Sequence, residues 1–464
     1  MTDLAVETTS IPGLLVVRMP VHGDARGWFK ENWQREKMVA LGLPDFGPVQ
    51  NNISFNASRG ATRGIHTEPW DKFVSLATGR IFGAWVDMRE GMSFGATFHI
   101  EIDPSIAVFV PRGVGNSYQA LEDGTAYTYL VNDHWRPGVT YPALNLADET
   151  AAIPWPIPLE EAEISDKDLA TPRLGDVVPM PPKRTLVLGA GGQLGQAYAA
   201  AFPEADVRTR AELDVTDAEA VAGFPWQDYG VVLNAAAYTA VDAAETPEGR
   251  VAAWAANASG PATLARLSRG HGFTLVHVSS DYVYDGTAPH DHVEDEPLSP
   301  LGVYAQSKAA GDLAVGLAPR HYLLRTSWVI GEGHNFVRTM RGLAEKGVSP
   351  SVVDDQVGRL TFTGELVRAT RHLLDSGADF GTYHLSNGGA AMSWREIAQA
   401  VFERSGRSAD DVSATSTTAY GEGVLSQGKP FAPRPLNSVL SLEKIRTTGF
   451  EPEDALVALD RYLA

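Results

Sequence analysis

Two regimes of hydrophobic patterning divide the 464-residue chain. Up to about residue 160 the chain reads as short strands, and two stretches alternate apolar with polar positions. In Thr97 to Asp103, Phe98, Ile100 and Ile102 fall on one face and Thr97, His99 and Glu101 on the other; Ala126 to Val131 puts Tyr127, Tyr129 and Val131 together. A period of two predicts half-buried strands. Gly79, Gly91, Gly95, Gly113 and Asp123-Gly124 punctuate these runs and predict hairpins. The expected first domain is therefore an all-β antiparallel sandwich or barrel. Pro154 to Pro158 is excluded from a central strand because proline has no N–H to donate.

From Arg184 the period changes. Short apolar runs at Thr185–Leu188, Val231–Leu233, Thr274–Val278 and Tyr322–Leu324 alternate with alanine-rich helical stretches such as Val251–Leu267. Strand–helix alternation predicts an α/β doubly wound parallel sheet. The halves share neither period nor motif, so they read as two fused domains. The expected boundaries are 1–168 and 184–464, with a Pro-rich linker at 169–183.

Composition narrows the chemistry. The net charge is −19, from 38 basic and 57 acidic residues, which argues against nucleic-acid or anionic-membrane partners. There are no cysteines, so disulfides, thiolate metal sites and cysteine nucleophiles are excluded. The N-terminus lacks the pattern of a signal peptide, and no run of apolar residues is long enough to span a bilayer; a cytoplasmic location is expected.

The second half carries its chemistry in order. Strand Thr185–Leu188 leads into Gly189, Gly192 and Gly195 and then a helix, the opening unit of a dinucleotide-binding fold. There the first glycine allows the turn, the second admits a pyrophosphate, and the third lets helix pack on strand. Ser280 lies where strand Thr274–Val278 ends, the edge at which such sheets bind ligands. Tyr304 and Lys308, at i and i+4, share one helix face. These features together resemble the extended short-chain dehydrogenase/reductase family and, through NAAAYTAVDAAE, VSSDYVYDG, LRTSWVIG and DDQVGRLT, the dTDP-4-dehydrorhamnose reductases.

That resemblance implies a Rossmann-type domain with a small substrate-binding lobe. It implies Ser280, Tyr304 and Lys308 as the catalytic set, the lysine ammonium lowering the tyrosine pKa. Gly189, Gly192, Gln193, Leu194, Gly195, Asp214, Val215, Ala235 and Ala236 would hold the cofactor, with Tyr304 and Lys308 beside it. Tyr282, Trp328 and Arg434 would lie at the sugar nucleotide. The second strand ends in Arg208-Thr-Arg210 without an early acidic residue, so Arg210 favours NADPH over NADH. Ala197 stands where some relatives place a glutamate of a metal-linked dimer.

In the first half, DARGWFKE (24–31), QNNIS (50–54), RGIH (63–66), VPRG (110–113), Tyr129 and SDKD (165–168) together resemble the dTDP-4-dehydrorhamnose 3,5-epimerases, cupin-like jelly rolls. The resemblance implies His66 as base, oriented by Asp168, with Tyr129 as the acid on the opposite face and Lys72 stabilising an enolate oxygen. Arg26, Glu31, Gln50, Asn52, Arg63 and Asn116 would hold the nucleotide sugar. Asn116 stands where the family usually has a pocket histidine, and Gly83 where it often has aspartate. No metal is expected, because His66 has few ligand-type neighbours. The joint expectation is a bifunctional enzyme on a dTDP-sugar, dimeric through its first domain. The alternatives are another deoxysugar pathway, or a reductase with a sugar-nucleotide-sensing cupin domain.

Overall fold

The computed structural model describes residues 3–135 and 141–464, and the chain divides into two compact units, Met1–Pro182 and Lys183–Ala464. In the first unit, one sheet orders its strands β1 (Ala5–Thr8), β2 (Leu15–Arg18), β10 (Ile106–Val110), β7 (Lys72–Thr78), β12 (Thr125–Val131) and β5 (Gln50–Asn56). A second orders β6 (Thr62–His66), β11 (Val114–Ala120), β8 (Ile81–Asp87) and β9 (Thr97–Ile102). The hairpin β3 (His22–Asp24) and β4 (Gly27–Phe29) stands apart from both. All pairings in this unit's sheets are antiparallel, and Val16, Leu76, Trp85, Val108 and Tyr127 join one buried cluster. This is a jelly-roll sandwich.

The alternation expected at Phe98, Ile100 and Ile102 holds, with His99 and Glu101 exposed. The expected hairpins are only partly right. Gly91 and Gly95 lie between the paired strands β8 and β9. Gly79, Gly113 and Gly124 instead lie where the chain passes from one sheet to the other, at β7 to β8, β10 to β11 and β11 to β12. Each has positive φ. A positive-φ glycine permits a sharp reversal but does not say which strand the chain rejoins.

The stretch read as a linker is folded onto the first unit almost to its end. Leu174 is buried in a cluster with Ile65 and Val86, Met180 bridges Arg89, and the Pro181 carbonyl accepts from Arg112 at 2.8 Å. Proline-rich backbone can run along a surface without ladder donors, so composition alone does not distinguish it from a free tether.

The second unit is a parallel sheet ordered β14 (Asp206–Arg208), β13 (Arg184–Leu188), β15 (Tyr229–Asn234), β16 (Thr274–Ser280), β17 (His321–Thr326), then Gly381–Leu385. The topology reverses at β13, whose connection leads to β14 on one side while that of β15 leads to β16 on the other, the kind of switch point where ligands bind. The helix expected over Val251–Leu267 runs as Pro247–Trp254, a π turn at Ala255–Ser259, and Gly260–His271. A separate core around Ile330, Val337, Met340, Ile397, Phe402 and Leu459 forms the C-terminal lobe. Among the described residues, no helix is long and apolar enough to cross a membrane.

Candidate active sites

In the first unit, a cavity of about 190 Å³ is lined by Ser54, Arg63, His66, Glu68, Lys72, Asn116, Tyr118, Tyr127 and Tyr129. Arg63 and His66 are three apart on β6, which in a regular strand points them to opposite faces. The β6–β11 register slips between Asn116 and Tyr118, so Asn116 pairs with His66 and Tyr118 with Arg63. That bulge turns both side chains into one cavity. Gly64 lies inside it at φ +125°, and a Cβ there would sit 2.4 Å from that of Ser117.

His66 Nε2 lies 2.8 Å from Asp168 Oδ1, and the Gly64 N–H donates to Asp168 Oδ2 at 3.3 Å. Burial raises the pKa of Asp168, but His66, the Gly64 amide and Ser165 outweigh it and hold the carboxyl below its usual range. Asn116 Oδ1 accepts from Trp85 Nε1 at 3.0 Å and from the Tyr127 hydroxyl at 3.1 Å. The indole can only donate, so it fixes which way the amide points. Lys72 is buried and paired with Glu68, a residue the sequence reading passed over. Its only sequence signal was its place two residues after His66 and four before Lys72.

A second cavity, of about 300 Å³, is lined by Gln50, Asn52, Glu68, Trp70, Tyr129, Val131 and Trp135, and so shares Glu68 and Tyr129 with the first. Gln50 Nε2 donates to Asn52 Oδ1 at 2.8 Å. Arg26 and Glu31 line neither. Arg26 is exposed and pairs with Asp24 at 2.5 Å, while Glu31 pairs with Lys37 at 2.6 Å.

In the second unit, Gly189 begins the turn after β13. A Cβ on it would lie 2.6 Å from the Ala236 nitrogen, and one on Gly195 would lie 2.1 Å from the Gly189 carbonyl. Two backbones thus meet at the switch point, and Gly192 caps helix Gln193–Ala201 with no side-chain bond. Such a terminus leaves N–H groups for an anion, as a dinucleotide's pyrophosphate requires. The neighbouring side chains are partly engaged. Gln193 Oε1 accepts from the Gly331 amide at 2.8 Å, Leu194 packs on the core, and Val215 is buried. Arg210 pairs with Asp214 at 2.9 Å and is 85% exposed. Ala235 donates its N–H to Leu188 at 3.0 Å, and Ala236 to Asn234 Oδ1 at 3.2 Å.

Tyr304 and Lys308 are both buried on helix Val303–Val315, beside the buried Ser280 at the end of β16. Ser280 Oγ donates to Asp281 Oδ1 at 2.9 Å and also hydrogen-bonds Tyr304. The expected lowering of the Tyr304 pKa is reversed: burial first, then the Asp281 charge, push its hydroxyl up. The Lys308 ammonium does not offset this. It donates to the Val278 carbonyl at 2.8 Å, and burial pulls its own pKa down to about 8.

Tyr282 meets Tyr304 edge-on, with ring centroids 5.8 Å apart. Arg434 holds Asp242 through two contacts of 2.9 Å. Trp328, at φ +46°, stacks on Trp394 with centroids 3.8 Å apart, so its ring is part of the lobe's packing. Asn257, in the π turn, was missed by sequence reasoning. It bonds both backbone groups of Tyr238, at 2.9 and 3.0 Å, and Ser307 Oγ at 3.1 Å, tying the loop after β15 to the tyrosine helix.

Residues 183–464 match the family model described as RmlD substrate binding domain, and residues 8–176 match that of dTDP-4-dehydrorhamnose 3,5-epimerase. A "Protein RmlC homolog" of Streptococcus pyogenes is 47% identical over 184 residues, spanning 38% of this chain and 92% of that protein. The chain belongs to both families. A dTDP-4-dehydrorhamnose reductase of Mycolicibacterium smegmatis is 38% identical over 280 residues, 58% of this chain and 81% of that protein. The solved dTDP-4-dehydrorhamnose reductase of Bacillus anthracis, in complex with NADP, is 31% identical, with a TM-score of 0.55 over 61% of this chain and 98% of that one.

Proposed function

We propose that this chain catalyses two consecutive steps toward dTDP-L-rhamnose. The first unit epimerises dTDP-4-dehydro-6-deoxy-D-glucose at C3 and C5, and the second reduces the C4 ketone. The reading is carried by one coincidence. A His66–Asp168 dyad in a cavity with Tyr129, and a buried Ser280–Tyr304–Lys308 set beside a glycine turn, occur on the same chain. The product of the first chemistry is the ketone that the second consumes.

C–H bonds flanking a ketone are acidic because the carbanion delocalises into an enolate. His66, held by Asp168, takes that proton, and Tyr129 returns one from the other face. Lys72 lies nearby to favour charge on the enolate oxygen, with Glu68 moderating it. Arg63, Asn116, Gln50 and Asn52 hold the sugar nucleotide, and Arg26 and Glu31 line neither cavity. In the second unit NADPH supplies the hydride. Ser280 hydrogen-bonds the ketone oxygen, Tyr304 protonates it, and Lys308 lends positive charge beside them. Gly189, Gly192, Gly195 and the Gln193 amide would receive the pyrophosphate, and Arg210 the 2′-phosphate. Tyr282, Trp328 and Arg434 bound the sugar-nucleotide side.

The first unit also mediates a homodimer. β5 is a sheet edge, and Val49, Ile53 and Phe55 on or beside it are 55%, 69% and 63% exposed. An open apolar edge is a pairing surface. Light scattering of the full chain should give twice the chain mass, and Ile53→Lys should halve it.

Incubation with dTDP-4-dehydro-6-deoxyglucose and NADPH in deuterated water tests both steps. Deuterium at C3 and C5 of a rhamnosyl product, with stoichiometric NADPH oxidation, is expected. NADPH oxidation without carbon-bound deuterium would overturn the epimerase half.

A further inference from the structure

Glu68 stands where the two cavities of the first unit join, since it and Tyr129 line both. It is paired with Lys72, whose side chain is only 5% exposed. An ammonium so buried would be costly to keep charged without a counter-ion. Lys72 Nζ also lies 5.9 Å from the centre of the Tyr129 ring. The titratable groups facing this space are Lys72 from β7, Arg63 and His66 from β6, Tyr118 from β11, and Tyr127 on the strand of Tyr129 itself. β5 contributes only neutral amides, Gln50 and Asn52. Among the described residues that line the two cavities, Glu68 is the one carboxylate.

We propose that Glu68 is a positioning residue for proton return in this site: it pairs the buried Lys72 within the cavity and helps Tyr129 hold its phenolic proton beside its cationic neighbours. Burial and then the Glu68 charge raise the Tyr129 pKa, against a smaller downward pull from Arg63. The step that needs this is balanced. The phenolic O–H bond breaks as a C–H bond forms on the carbanion, leaving a tyrosinate near Lys72 and Arg63 that solvent reprotonates. Without Glu68 the downward pull of Arg63 would be less opposed, so the phenol would lose its proton at lower pH and the alkaline limit of proton return would move down.

Glu68→Gln keeps the shape and removes the charge. Ultraviolet titration of tyrosinate, with the matching Tyr129→Phe variant subtracted, isolates Tyr129 in the full chain without any substrate. Its midpoint should fall by about one pH unit in Glu68→Gln, the size of effect one nearby charge has on a partly buried group. An unchanged midpoint overturns the proposal. Should Glu68→Gln not fold, the double variant Lys72→Met with Glu68→Gln, measured against Lys72→Met alone, reads the same carboxylate effect.

The kinetic arm rests on the epimerase reading. The alkaline limb of solvent-deuterium exchange should move down with the titration midpoint, and Glu68→Asp should restore it. A rate lowered equally at every pH would mark Glu68 as merely structural. Wild-type protein with no exchange at any pH would sink the epimerase reading, while the absorbance titration would still decide the role of Glu68.

Discussion

Asp168 Oδ1 lies 2.8 Å from His66 Nε2, across 102 residues of sequence. The carboxylate fixes the ring's orientation and lies beside the charge that forms when His66 takes a proton. Asp168→Asn keeps an acceptor oxygen but loses the charge. Solvent-deuterium exchange should fall by about 100-fold, the low end for losing acid–base function, with reduction of pre-epimerised ketone unchanged. The stability sign follows from the lowered pKa of Asp168. Its contribution is present above the ordinary carboxylate value and lost as pH falls through the lowered one. Acid unfolding of the first unit should therefore begin at higher pH in Asp168→Asn; coincident acid transitions would contradict this.

Tyr304 and Lys308 titrate in opposite directions from their ordinary values, the tyrosine upward and the lysine down to about 8. Tyr304 thus stays a proton donor throughout the neutral range, and Lys308 is the first of the pair to lose its proton as pH rises. Ketone reduction at saturating NADPH should hold to about pH 8 and then decline. Lys308→Arg, which stays charged, should remove that limb even if the overall rate drops. A profile in wild type that stays flat through the ordinary lysine range would show that the ammonium is not needed.

Local chemistry was the legible part of this protein. The glycine turn, the serine at a strand end and the Tyr304–Lys308 spacing each depend on neighbours in sequence, and the structure brings those residues to one sheet edge. Residues acting across sheets were less legible. Arg63 and His66 converge only because of a bulge against β11, which no period-two count reveals. Glycines at sheet-crossing corners read as hairpins because both need the same backbone conformation. The direction of the Tyr304 shift depended on burial and on Asp281, an adjacent carboxyl whose enclosure is a tertiary fact. Arg26 and Glu31, placed at the sugar nucleotide by the resemblance, lie on or near a separate hairpin and line neither cavity.

The helix carrying Tyr304 begins with Gly302, which offers no capping side chain, and Glu245 Oε1 accepts the Val303 N–H at 2.8 Å instead. A carboxylate there satisfies an orphan donor and complements the positive end of the helix. Glu245→Ala should destabilise the second unit by about 1 kcal/mol, as loss of a cap does. Reduction should weaken while exchange in the first unit stays intact. Glu245→Gln, which keeps the acceptor, should recover most of the loss; chemical denaturation beside both assays checks the series.

Asp281 is 3% exposed, accepts from Ser280 Oγ at 2.9 Å, and has its pKa raised by burial to about 6. A carboxyl raised in the folded state binds its proton more tightly there than in the unfolded chain. Its favourable contribution is complete below the unfolded value near 3.8 and is lost as pH rises through about 6. A shift of that size corresponds to about 3 kcal/mol. Asp281→Asn stays neutral at every pH, so its stability relative to wild type should improve by about that amount between acidic and neutral conditions. Urea unfolding of the second unit at both pH values measures it. The same variant should change ketone reduction, because ionised Asp281 competes with the ketone for the Ser280 proton. Parallel stability curves for wild type and Asp281→Asn would mean the carboxyl titrates normally, and that competition for the serine proton would then extend to acidic pH.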